Sequence, residues 1–74
     1  MVVQIYTVFK GAKVVLQVCT QADASDQYVH EVTVQGLHAA GLGALARGNP
    51  TMGDVELQLA AAGYTHHTGV LMVR

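Results

Sequence analysis

Seventy-four residues, 51% of them apolar, with four Lys and Arg against five Asp and Glu, make a single small α+β domain spanning 1–74 that cannot hide all its apolar surface. A chain of this size buries only about 60% of what its unfolded form exposes. Four cations cannot build a phosphate-binding surface, and five carboxylates cannot build a nucleic-acid mimic, so nucleic acid is not an expected partner. One cysteine, Cys19, excludes an internal disulfide, and no apolar run approaches the ~18 residues of a membrane span, which leaves self-association as the expected supplement to a small core.

The N-terminal stretch has no basic start and no small-residue cleavage site. It alternates like a strand, and with the free thiol this points to a cytoplasmic protein. Gly11-Ala12 suits the centre of a type II′ turn, so the first twenty residues read as a β-hairpin. A regular two-residue hairpin places Phe9 opposite Val14, Thr7 opposite Leu16, Ile5 opposite Val18 and Val3 opposite Thr20 on one face, the expected core face. The other face receives Val8 with Val15, Tyr6 with Gln17 and Gln4 with Cys19.

After a polar loop over residues 21–27, alternation resumes from Tyr28 to Gln35 and predicts a third strand. Tyr28, His30, Val32 and Val34 then join the core face, and Val29, Glu31, Thr33 and Gln35 the mixed one. Gly36 ends this strand. An Ala- and Leu-rich stretch from Leu37 to Ala46 predicts a first helix, stopped by Gly48-Asn49-Pro50. Thr51 with Asp54 forms a capping signature for a second helix in which Met52, Val55, Leu59 and Ala62 recur at helical spacing, with Gly63 as its stop. Residues Gly69 to Arg74, apolar on both sides, predict a short central strand. The expected order is β-β-β-α-α-β: an antiparallel sheet of about four strands with two helices on one face.

No residue set carries the pattern of a catalytic site. His66 and His67 on a strand would point to opposite faces, and neither they nor His30 and His38 have a ligand at the spacing of a structural zinc site, so no metal or other cofactor is expected. Cys19 has Gln4, not a base or cation, as its expected cross-strand neighbour, and reads as a packing thiol. Ser25 lacks the glycines of a nucleophile elbow and reads as loop polarity. Asp54 and Glu56, two apart on a helix, cannot act as a pair. Gly41-Leu42-Gly43 lacks the context of a phosphate-cradling loop.

What remains is a non-enzymatic protein-binding module. Its expected core contains Val3, Ile5, Phe9, Val14, Leu16, Val18, Val32, Val34, Leu45, Val55, Leu59 and part of 70–73. Its expected partner-binding surface is the uncovered sheet face of Gln4, Tyr6, Val8, Val15, Gln17, Val29, Glu31 and Thr33, with Tyr6 the leading hot-spot residue. The expected partner is another protein, a second copy included. A small-ligand or metal-binding domain with His30, His38, His66, His67 and Tyr64 lining a pocket between sheet and helices, or a structural subunit of a larger assembly, are the competing expectations. In size and composition the chain resembles the accessory inhibitors and adaptors of bacteriophages and mobile elements.

Overall fold

A computed structural model describes residues 1–46, 48 and 51–73. The expected stop at Gly48-Asn49-Pro50 and the expected strand end at Arg74 therefore fall at least partly outside the described residues. The chain runs β1 (Val2–Lys10), β2 (Lys13–Gln21), α1 (Asp26–Ala39), a single 3₁₀ turn (Gly43–Ala46), α2 (Met52–Ala61) and β3 (Tyr64–Met72). The class is α+β, as expected. Among the described residues the sheet has three antiparallel strands, not four, in the order β2-β1-β3, with both helices on one face.

The hairpin turn falls where Gly11-Ala12 predicts it, between the paired Lys10 and Lys13, with Gly11 at a φ of 61°. Its register then departs from the regular one. Phe9 pairs with Val14, but Val8 pairs with Leu16, so Val15 is an extra residue in β2. This β-bulge shifts every later pair by one: Tyr6 faces Val18, Ile5 faces Cys19 and Gln4 faces Thr20. A one-residue shift exchanges the faces of a strand, and here it turns over β2 relative to β1.

The consequence is a core built on the other side of β1. Tyr6 and Val8 are 6% and 0% exposed beneath the helices, while Val3, Ile5 and Phe9 point away from them, half-buried on the open face. Val14 is exposed, Val32 is only half-buried and residues 70–73 are exposed, so these expected core residues are corrected as well. Leu16, Val18, Val34 and Leu45 pack against the fully buried Leu37, Val55 and Leu59, as expected.

The segment expected as a third strand is most of α1. Ser25 caps it, its Oγ accepting from the Tyr28 amide at 3.1 Å, and Asp26 lies in the first turn; a hydroxyl at that position and an acid beside it satisfy the free amides of a helix start. Val29, Thr33, Gly36 and Leu37 then recur at helical spacing toward the sheet, with Thr33 and Leu37 fully buried. Thr33 Oγ1 donates to the Val29 carbonyl at 2.7 Å, which lets a buried threonine satisfy its hydroxyl inside the helix. Gly36 does not end an element. It marks where α1 approaches β2 so closely that a Cβ would stand 2.9 Å from Leu16 Cδ1. The helix expected over Leu37–Ala46 is thus the last turn of α1 followed by the 3₁₀ turn.

For α2 the sequence signals and the structure agree. Thr51 Oγ1 accepts from the Asp54 amide at 3.3 Å and donates to Asp54 Oδ2 at 2.9 Å. At the other end Gly63 has a φ of 88°, and Lys10 Nζ donates to the Ala62 carbonyl at 3.1 Å while lying 4.5 Å above the Tyr64 ring. A cation there complements the negative end of the helix. The final strand begins at Tyr64, five residues earlier than expected, and lies at the sheet edge, not its centre. Among the described residues, no helix is long and apolar enough to cross a membrane.

Candidate functional site

Two regions of the sheet gather the side chains able to recognise something. The first is a cleft of about 190 Å³ between the sheet and the helices, lined by Gln4, Tyr6, Val18, Thr20, Val29, Met52, Glu56 and Thr68. It lies between α1, which leans on β2, and α2, which leans on β3. At its β3 side, Glu56 Oε2 accepts from the Tyr6 hydroxyl at 3.1 Å and lies 3.4 Å from His66 Nδ1. The Tyr6 and His66 rings stack, with centroids 5.6 Å apart and planes at 16°.

Burial, the Glu56 charge and the hydrogen bond to it, in that order, push the Tyr6 phenol far above its usual range. It remains a proton donor, not a base or nucleophile. The cluster ties α2 to β1 and β3 through one carboxylate oxygen. Glu56 was set aside in the sequence because its distance from Asp54 forbids a pair on the helix; its true partners are 50 residues away on β1 and 10 away on β3.

The second region is the open face. It carries Val3, Ile5, Thr7 and Phe9 from β1, Val14, Gln17, Cys19 and Gln21 from β2, and Thr65, His67, Gly69 and Leu71 from β3. None is Asp, Glu, Lys or Arg. Thr7, at its centre, is buried by its flanking strands and accepts from Gln17 Nε2 at 3.3 Å.

The eight residues expected as a single binding surface do not form one. Tyr6, Val8 and Thr33 are core, and Val15 packs against it. Gln4 and Val29 line the cleft, Glu31 is exposed on α1 and accepts from Gln27 at 3.4 Å, and Gln17 alone sits on the open face. The expectation fails for two physical reasons: the bulge inverts the relation between β1 and β2, and Val29, Glu31 and Thr33 belong to a helix.

His66 and His67 do lie on a strand and point to opposite faces, His66 toward Glu56 and His67 across from Thr7. Tyr64 packs on the core, and the pocket expected to be lined by Tyr64 and the histidines is lined by other residues. Cys19 is exposed on the open face opposite Ile5 instead of Gln4. No group of three or more His, Cys, Asp or Glu is arranged to hold a metal among the described residues. A broad groove at the N-terminal turns of the two helices is lined by Asp26, His30, Glu31 and Thr51, among others, and its carboxylates oppose the anions that helix N-termini otherwise attract. No protein-family model, curated protein or solved structure matches this chain.

Proposed function

We propose that this chain is a small non-enzymatic protein-binding module that self-associates and acts by occupying a partner protein's surface, in the manner of an inhibitor or adaptor. One observation carries the reading: β1 turns Gln4, Tyr6 and Val8 toward the helices, and Val3, Ile5 and Phe9, with Thr7 between them, away from the helices. A strand that buries its apolar side chains in its own core needs no further cover; one that turns some of them away leaves apolar area whose removal from water favours association, at about 25 cal/mol per Å². The absence of Asp, Glu, Lys and Arg from that face fits contact with a protein surface, since the centres of such interfaces are depleted of charge.

The test is a pair of open-face variants, Ile5→Lys and Phe9→Lys. Solution mass against concentration is expected to exceed 7.8 kDa for the wild type; with the helical and sheet dichroism of the native protein kept, loss of the excess mass in both variants puts the contact between copies on the face, and its survival in both puts it elsewhere and leaves the face to another protein. A wild-type mass fixed at 7.8 kDa up to millimolar concentration overturns self-association. A second reading, a small-ligand domain, is favoured by the cleft, whose lining offers the amide of Gln4, the hydroxyls of Thr20 and Thr68 and the Glu56 carboxylate above an apolar floor. Perturbation of the Thr20 and Thr68 amide resonances by a small amine, without change in the open face, would favour it.

A further inference from the structure

The two edges of the sheet are not alike. β2 begins at Lys13 and carries the bulge at Val14 and Val15, and a charge and a bulge are both devices that discourage a second chain from pairing with an edge. β3 has neither. From Tyr64 to Met72 it contains no Asp, Glu, Lys, Arg or Pro, and its register with β1 is unbroken from Lys10–Tyr64 to Val2–Met72. Its first half is roofed by α2 through Glu56 and His66. Its second half is bare on both sides: Val70, Leu71 and Met72 are 71%, 51% and 75% exposed, beside the exposed Met1, Val2 and Val73. Six large exposed apolar side chains thus gather at one end of the sheet, and an apolar cluster of this kind marks an interaction surface.

We infer that β3 pairs antiparallel with β3 of a second copy of this chain about a two-fold axis, joining the two sheets into one of six strands. This rests on the reading that the chain self-associates. A second copy fits this edge because a two-fold contact must be self-complementary: the strand has no formal charge to set against itself, and its aromatic half and its bare apolar half exchange places in an antiparallel pair. The register that pairs all nine residues puts Thr68 on the axis. Met72 then lies opposite Tyr64 of the second copy, Val70 opposite His66 and Leu71 opposite Thr65, so each bare half meets the half that α2 covers. Any other register leaves part of both strands unpaired.

The area argument agrees. Three strands about 4.8 Å apart and nine residues of about 3.3 Å each present a projected face of only about 400 Å². Two such faces side by side give about 800 Å², the share one partner contributes to an interface of standard size. The joined sheet makes the open face large enough to hold another protein.

The experiment uses the full chain with Cys19→Ser. Adding Thr68→Cys is expected to give nearly complete disulfide-linked dimer on mild oxidation at micromolar concentration, because only residues at the axis come within cross-linking distance of their own copies. Val14→Cys, also exposed but on β2, is expected to stay unlinked. Equal linking of both, or of Val14→Cys alone, overturns the pairing. Independently, Val70→Lys is expected to halve the solution mass to 7.8 kDa without loss of dichroism. A dimer that survives Val70→Lys but is lost in Phe9→Lys overturns the edge pairing while leaving self-association through the face in place; a wild type that is monomeric throughout overturns both.

Discussion

Tyr6 and Ile5, adjacent on β1, separate the two faces of this protein at the scale of one residue. Tyr6 fills the core and holds Glu56, so Tyr6→Ala is expected to cost about 3–5 kcal/mol, the usual range for truncating a buried aromatic ring. Ile5→Ala, on a half-covered face, is expected to cost about 1 kcal/mol. Urea unfolding of monomeric protein ranks the two, and a larger loss for Ile5→Ala contradicts the register. The phenol supplies a second check. Its folded value is raised above the ordinary one near 10, so the native state keeps a proton that the unfolded chain releases above about pH 10. The stability this contributes is whole below that pH and is lost as pH rises beyond it. Melting should therefore fall more steeply above pH 10 in the wild type than in Tyr6→Phe. Because burial is the largest cause and Glu56 the second, Glu56→Gln is expected to bring the phenol's ultraviolet titration only part of the way back.

Among the elements, the helices show how local chemistry and tertiary cover divide the work. The caps are local: Ser25→Ala and Thr51→Ala each remove a hydroxyl that accepts from a first-turn amide and should each cost about 1 kcal/mol by thermal or urea unfolding, with Asn restoring most of it. The identity of α1 is not local. Four β-branched residues, Val29, Val32, Thr33 and Val34, favour a strand by propensity, yet the sheet offers a face for Val29, Thr33, Gly36 and Leu37 that only a helix can present together. Burying Thr33 and Leu37 completely outweighs propensities that differ by only tenths of a kcal/mol per residue.

At the scale of the whole molecule, the sheet has a centre and two edges of unequal character. β1 is paired on both sides, so its amides are expected to exchange slowest with solvent, near the free energy of global unfolding. The outward amides of β3 should exchange quickly in dilute protein and become protected as concentration rises, whereas those of β2 should not change. Concentration-independent exchange along β3 would speak against the edge as the contact between copies. The stability of such a dimer also depends on protein concentration, as mass action requires of any association that favours the folded form.

By itself the sequence determined what short-range chemistry can determine: the Gly11-Ala12 turn, the Phe9–Val14 pair beside it, the Thr51 cap and Gly63 stop of α2, and the α+β class. Ser25 and Asp26 also held the start of α1 in plain view, with Leu37 eleven residues beyond Asp26 on the same helical face. The tertiary structure alone decided which face of β1 became the core, because alternation shows two faces without saying which is inside, and the single extra residue at Val15 re-aimed the rest of β2. The cleft was equally out of reach: Tyr6, Glu56 and His66 come from three elements, and only the packing of α2 over β1 and β3 brings a phenol, a carboxylate and an imidazole to one point.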